Sequence, residues 1–373
     1  MSLRIAVARP NSHALSETFI AAHVRLLDRV QLVLTDGELP TRVDGGSLLL
    51  PRDKVRRSLA WLQARTRGKD LRRLLQQRIA DLLQAQRIDV MLAEYGNCAH
   101  ALIGSCERAR LPLVAHFFGA DAHKDQWLRA TGNYAALFKA AAALVVVSRT
   151  MEQHLLALGA PAHKVHYIPC GIDIAKFTGA DPASAPPHFL AVGRFVEKKA
   201  PLNTLKAFAM VLHDQPQARL TMVGDGPLYA ECQRFVSDNE LSAAVDLCGS
   251  RTPEEVLALV RHSRAFVQHS VVAPNHDREG KPVAILEAMA AGLPIVATRH
   301  GDISEMVAED ERGLLCDEGD IKGMAAQMIA LAADASRAAR LGRAASAYAH
   351  AHYRQTDRIG DLQRLLEQVA AAR

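Results

Sequence analysis

The stretch "REGKPVAILEAMAAGLPIVAT", Arg278 to Thr298, sets a carboxylate near each end of an apolar run that should be buried. A buried carboxylate is costly unless something pairs with it. Pro282 suits the first turn of a helix, and Ala284 to Ala291 are good helix formers. A helix starting near Pro282 turns free backbone N–H groups toward whatever lies ahead of it, which favours a phosphate. Glu279 then falls in the preceding loop, and Glu287 lies about two turns inside the helix. Carboxylates so placed can accept hydrogen bonds from the vicinal hydroxyls of a sugar or a ribose. Glu279 could equally cap the helix, and Glu287 could pair with a neighbouring cation. The residues alone leave both readings open.

Outward from this stretch, short β-branched or leucine-rich runs alternate with helical patterns. "LRIAVA", "VQLVLT", "IDVMLAEY", "LPLVAHFF", "ALVVVS" and "KVHYIP" form one series. "PHFLAVGR", "RLTMVGDG", "AVDLCG", "AFVQHS" and "LPIVAT" form a second. Strands alternating with helices argue for an α/β fold with parallel sheets. A chain of 373 residues exceeds one hydrophobic core, so two domains are expected. The Pro- and Ala-rich "GADPASAPPH", Gly179 to His188, reads as the linker. Domains are therefore expected over 1–178 and 189–347, with a further helix in 348–373 that could pack on either. Two doubly wound domains would face each other across a cleft lined by the carboxyl ends of their strands, where open α/β sheets bind ligands.

Composition narrows the class. With 49% apolar and 23% charged residues the chain is an ordinary globular protein. The N-terminus lacks a signal peptide's apolar stretch, and no window holds the ~20 apolar residues of a membrane span. A cytoplasmic location is expected. The six cysteines are scattered without a CxxC pair, so buried reduced thiols are expected and no metal site. The net charge of +5 is unevenly placed: Arg52 to Arg78 holds ten Lys or Arg against two Asp, interleaved with leucines. Such a segment can lie on an anionic membrane surface; it can equally be a solvated helix face beside a core stripe. It lacks the stacking aromatics of a nucleic-acid surface.

Two further loops carry chemistry. In "AVGRFVEKKAP" a strand ends at Val192, Gly193 allows a tight turn, and Arg194 and Lys199 follow. Two cations at an α/β sheet edge suit a diphosphate, with Arg able to bind it bidentately; a solvated basic loop would read the same way. In "LTMVGDGPL" glycines at Gly224 and Gly226 let a ligand approach the backbone. The loop lacks a GxGxxG pattern and a Walker A lysine.

The sequence resembles the retaining glycosyltransferases of family 4, which have the GT-B fold of two Rossmann-like doubly wound domains. "EGKPVAILEAMAAGLPIVAT" is similar to that family's EGxPxxLLEAMAxGxPVVAT, with Glu279 and Glu287 in the places of its Glu-x7-Glu pair. "VGRFVEKK", "IPCGIDIAKF", "MVGDGPL" and "GLLCDEGD" resemble other family segments in order and spacing. Near the N-terminus, "SETFI" from Ser16 resembles subgroups that build bacterial surface polysaccharides.

The resemblance implies transfer of a sugar from a nucleotide diphosphate sugar, with UDP or GDP as the nucleotide and no metal or other cofactor. A glycan or lipid-linked hydroxyl would be the acceptor. A soluble small-molecule acceptor, or a catalytically idle nucleotide-sugar-binding protein, is the alternative. The same resemblance sets Arg194 and Lys199 against the donor diphosphate, Glu279 against the donor sugar and Glu287 against the ribose. Gly193, Gly224 and the stretch Gly280, Lys281, Pro282 and Val283 would line the donor. Ser16, Glu17 and Thr18 would face its phosphate from the first domain. Departures are visible. Phe118 stands where the family's H-G-x-D segment has histidine, although Asp121 matches and His116 lies two residues earlier as a candidate catalytic replacement. Asp302 and Ser304 replace a usual Gly and Pro, and Lys281 replaces a usual apolar or small residue.

Overall fold

The computed structural model describes residues 3–11, 17–49 and 71–372. It divides into two units, Met1–Pro169 with Thr356–Arg373, and Cys170–Gln355.

The first unit is built on a seven-stranded sheet in the order β3-β2-β1-β4-β5-β6-β7. Its strands are β1 (Ile5–Ala8), β2 (Val30–Thr35), β3 (Arg42–Val43), β4 (Val90–Glu94), β5 (Leu113–Phe117), β6 (Ala143–Val146) and β7 (Val165–Tyr167). All pairs are parallel except β2–β3. Strands β1, β4, β5 and β6 are buried along their whole length. That explains their nearly continuous apolar runs, since helices cover both faces of a parallel sheet. The order reverses between β1 and β4, so the loops after those two strands flank the switch point.

The second unit carries a wholly parallel six-stranded sheet in the order β10-β9-β8-β11-β12-β13. Its strands are β8 (His188–Val192), β9 (Arg219–Val223), β10 (Val245–Gly249), β11 (Ala265–Gln268), β12 (Ile295–Thr298) and β13 (Gly313–Cys316). Side chains alternate across it: Phe189 enters one core cluster and its neighbour Leu190 the other. Here the switch point lies between β8 and β11. The loop after β8 carries Arg194 and Lys199, and the loop after β11 carries Glu279.

The expected elements and boundaries differ from the structure in four places. The strands β3 and β13 were not expected; the first is two residues long and the second is the four-residue "GLLC". The second unit begins at Cys170, ahead of the expected linker, because Ile172, Ile174 and Phe177 are buried in its core. Residues 179–188 run along that unit, where Ala180 N–H donates to the Ala291 carbonyl. The helix expected over 348–369 is two helices, Ala335–His352 and Gln355–Ala371. Between them Ile172 N–H donates to the Tyr353 carbonyl and Gln355 N–H to the Ile172 carbonyl, which interrupts the helical ladder. The last helix then buries Ile359, Leu362, Leu365 and Leu366 in the first unit's core.

None of the six cysteines forms a disulfide, and all but the half-buried Cys248 are buried. No helix among the described residues is long and apolar enough to cross a membrane. Of the basic segment, residues 50–70 lie outside the described part. The remainder opens the helix Leu71–Ala85, whose Leu75, Ile79, Ala80 and Leu83 are buried while Arg72 and Arg73 are exposed.

Candidate functional site: a cationic pocket with two unlike glutamates

In the second unit the loops after β8 and β9 are knitted together by glycine. Gly193 N–H donates to the Val223 carbonyl, and Phe195 N–H to the Asp225 carbonyl. A Cβ on Gly224, whose φ is +137°, would stand 1.9 Å from the Gly193 carbonyl oxygen. No side chain fits there. The Lys199 side chain passes over Gly193, with Cε 3.4 Å from where a Cβ would be.

These constraints deliver cations to Glu279. Lys199 Nζ lies 3.2 Å from Glu279 Oε2 and donates to Gln268 Oε1 at 3.1 Å. Its neighbour Lys198, unassigned by the sequence reading, is more deeply buried. Its Nζ lies 3.1 Å from Asp277 Oδ1 and 3.5 Å from Glu279 Oε1, and it donates to the Arg278 carbonyl. Burial alone would raise the Glu279 pKa, but Lys198 and Lys199 outweigh it and hold the carboxyl at about 2. Burial lowers the Lys199 pKa despite that pairing. Burial also disfavours the Lys198 charge, yet Glu279 and Asp277 prevail and raise its pKa. Glu279 Oε1 is buried and accepts no hydrogen bond within the protein. Arg194 is exposed, and its guanidinium makes no hydrogen bond or ion pair among the described residues.

The loop bearing Glu279 is held from behind. Glu279 N–H donates to His300 Nε2 at 3.1 Å, and His300 Nδ1 meets Glu318 Oε1 at 2.6 Å. An Nε2 that accepts requires the proton on Nδ1, where Glu318 receives it. His300 was visible in the sequence only as part of "TRHGDISE"; its partner Glu318 is distant in the chain and had no signal.

The helix begins at Val283 with Pro282 as its N-cap, so Glu287 lies just past its first turn and not two turns in. Among the described residues no hydrogen bond or ion pair reaches the Glu287 carboxylate. Burial pushes its pKa up to about 7, with Lys176 opposing weakly. The two glutamates are thus opposites. Glu279 is locked as an anion between cations, and Glu287 is a half-buried carboxyl without a partner. Lys281 is directed away from both, buried with its Nζ donating to Tyr353 Oη at 3.0 Å and 3.7 Å from Asp302 Oδ2.

In the first unit Ser16 lies outside the described residues. Glu17 accepts from Asn11 Nδ2 and Tyr95 Oη, and Thr18 opens the helix Thr18–Leu26. Asp121 was expected to face the donor. Its Oδ1 instead accepts from Phe118 N–H and Gly119 N–H, and its Oδ2 from Gly96 N–H. Both oxygens are engaged in shaping the loop, so this carboxylate is a structural tie. His116 is 2% exposed, beneath the Phe118 ring at 4.2 Å between centroids. A side chain so covered does not present itself to a substrate in place of the family's histidine.

Two doubly wound sheets, with a cationic pocket at the switch point of the second, define a GT-B glycosyltransferase. Residues 177–348 match the family described as Glycosyl transferases group 1, and residues 20–176 match Glycosyltransferase Family 4. The amylovoran biosynthesis glycosyltransferase AmsK of Erwinia amylovora is 30% identical over 288 residues, covering 76% of this chain and 70% of that protein. The putative colanic acid biosynthesis glycosyltransferase WcaL of Escherichia coli is 28% identical over 250 residues, covering 65% and 61%. The chain belongs to glycosyltransferase family 4. Among solved structures, Anabaena HepE in complex with UDP and glucose superposes with a TM-score of 0.76 at 18% identity, over 98% of this chain and 100% of that one. Sucrose-phosphate synthase from Thermosynechococcus elongatus gives 0.74 at 17%, over the whole of both chains.

Proposed function

We propose that the protein is a retaining glycosyltransferase that moves a sugar from a nucleotide diphosphate sugar to a glycan or lipid-linked hydroxyl in polysaccharide biosynthesis. The observation that carries this reading is that Lys199, paired with Glu279, and the exposed Arg194 share one sheet edge with two glutamates of opposite character. The names of AmsK and WcaL support the polysaccharide acceptor, and HepE's UDP supports UDP as the nucleotide.

Departure of the diphosphate builds negative charge on phosphate oxygens and leaves an oxocarbenium-like sugar. Arg194, Lys199 and the N-terminus of the helix Val283–Ala291 are fitted to stabilise that charge. With these cations, the transfer step needs no ion bridging the diphosphate. The backbone of Gly193, Gly224 and Gly280 to Val283 would line the donor. Glu279, whose Oε1 accepts no hydrogen bond among the described residues, would accept from a sugar hydroxyl, and Glu287 from the ribose diol. Lys198 and Lys199 hold Glu279 as a strongly paired anion, which makes it a poor nucleophile; we assign it a positioning role, and the leaving phosphate takes the acceptor proton. The exposed arginines Arg72 and Arg73 would draw the enzyme to an anionic membrane carrying the acceptor, at the inner face of the cytoplasmic membrane.

A thermal-shift panel of UDP-, GDP- and ADP-sugars tests the donor, since a ligand that binds only the folded state raises its melting temperature. Transfer from the stabilising donor to a glycan-lipid extract, with the product's anomeric configuration read by NMR, tests the reaction. Donor binding without turnover would replace the enzyme by an idle binding protein. An inverted product would refute retention, and acceleration by added Mg2+ or Mn2+ would refute ion-free transfer.

A further inference from the structure

Three buried groups in the first unit converge at the ends of separate elements: His23 from the helix Thr18–Leu26, Glu94 from the end of β4 and His116 from β5. Glu94 is fully buried, and the two imidazoles are 7% and 2% exposed. His23 Nδ1 lies 2.8 Å from Glu94 Oε1, and His116 Nδ1 lies 3.3 Å from Glu94 Oε2. One ligand atom from each residue falls within 4.8 Å of the others. The rings stack at 5.2 Å between centroids, and Phe118 covers His116.

Among the described residues, hydrogen bonding does not complete this cluster. His23 satisfies Glu94 Oε1, but Glu94 Oε2 and both ring nitrogens of His116 are buried without a hydrogen-bond partner. A neutral imidazole carries its proton on one nitrogen and a lone pair on the other. With the proton on Nδ1, Nε2 is a buried acceptor facing no donor. With the proton on Nε2, the Nδ1 lone pair faces the carboxylate oxygen at 3.3 Å. Either tautomer leaves an acceptor unmatched, and a half-satisfied buried polar network is costly.

We infer that His23, Glu94 and His116 form a buried divalent transition-metal site, with Zn2+ the fitting ion, that ties the first helix to the ends of β4 and β5. Two imidazoles and one carboxylate form a recognised zinc ligand set. Two ligands on one tetrahedral zinc stand roughly 3.3 Å apart, close to the 2.8 and 3.3 Å spacings here. Nitrogen ligands favour zinc over magnesium or calcium. The ion would replace the hydrogen bond between His23 and Glu94 by two metal bonds and match the stray acceptors of His116 and Glu94. Its task is to hold the helix that follows Glu17 in place. All three residues belong to the first unit and none is among the donor assignments made in the second, so this inference stands whether or not those assignments do.

The test uses the whole chain, stripped with a chelator and dialysed, then titrated calorimetrically with ZnCl2 and optically with CoCl2. One ion per chain, a raised melting temperature and the visible absorption of non-octahedral Co2+ are expected. Glu94→Gln and His116→Gln should each abolish all three. An anomalous-diffraction peak between the three side chains of the zinc-loaded wild type supports the site without any variant. A water there with no anomalous signal overturns it, as do failure of the wild type to bind zinc and binding that survives in both variants.

Discussion

Lys281 and Asp302 stand 3.7 Å apart, both buried, with the Lys281 ammonium also donating to Tyr353 Oη and lying 5.0 Å from that ring's centroid. Each is a departure from the resembling family's pattern, and each looks unexplained in the linear sequence. In the fold they compensate one another. Burial lowers the Lys281 pKa, and Asp302 is the strongest influence restoring it. Removing one partner of a buried pair leaves an uncompensated charge, whereas removing both is often nearly neutral. Lys281→Met and Asp302→Ala should each lose roughly 3 kcal/mol, and the double variant most of neither. Urea unfolding of the four proteins measures this. Additive losses would show that the two residues are uncoupled.

The exposed arginines of the helix Leu71–Ala85 give a second prediction. The buried stripe of this helix faces the core, and Arg72 and Arg73 are among its exposed charges that can meet a membrane. Each basic residue near an anionic surface contributes about 1 kcal/mol. Replacing both by Gln should weaken partitioning onto phosphatidylserine vesicles by roughly 30-fold at low salt. Unchanged sedimentation with vesicles would remove the membrane from the proposal.

Arg194 and Lys198 separate function from stability. Arg194 is exposed and unpaired among the described residues, so Arg194→Ala should leave stability within about 0.5 kcal/mol. It should still lower kcat by about 10²-fold or more, as loss of a transition-state donor does. Lys198→Met strips a buried cation from both Asp277 and Glu279 and should cost roughly 3 kcal/mol as well as activity. Glu279→Gln keeps the shape and should abolish transfer with a smaller stability loss. Equal melting losses for Arg194→Ala and Lys198→Met would contradict the geometry.

Most of the sheet architecture was legible because strands buried on both faces need continuous apolar runs, as in "ALVVVS" and "LPIVAT". The two-residue β3 is too short to carry a period, whereas β13 is as long as the legible β6 and β12 and its length does not explain why it was passed over. The break at Tyr353 was hidden because it arises from pairing with Ile172, far away in sequence. Arg194, Lys199, Glu279 and Glu287 stood out because charged groups interrupt apolar or glycine-rich runs. Lys198 was overlooked because adjacent residues usually diverge; the short turn Glu197–Lys199 brings both amines to Glu279. The surroundings of Asp121 and His116 were hidden for a related reason. Residue type and position placed them at the strand end, but burial, which no spacing reveals, turned them inward.

Glu287 yields the last prediction, and its sign follows from its missing partner. Its pKa is raised from 4.5 to about 7 by burial, so between those values the folded state holds a proton that the unfolded chain has released. Stability therefore falls as pH rises across this window and stays low above it. Glu287→Gln should accordingly melt higher than the wild type at pH 8 without donor. Binding has the opposite sign. A ribose diol donates to the ionised carboxylate, so the donor lowers this pKa and binding below pH 7 releases a proton. Donor Kd should weaken toward tenfold for each pH unit below about 7 and level off above it. Isothermal titration in two buffers of different ionisation enthalpy measures the proton released. In Glu287→Gln the pH dependence should vanish and affinity should drop by roughly 10- to 100-fold, the worth of hydrogen bonds to a charged group. A wild-type Kd that is flat from pH 5.5 to 8 would place the ribose elsewhere.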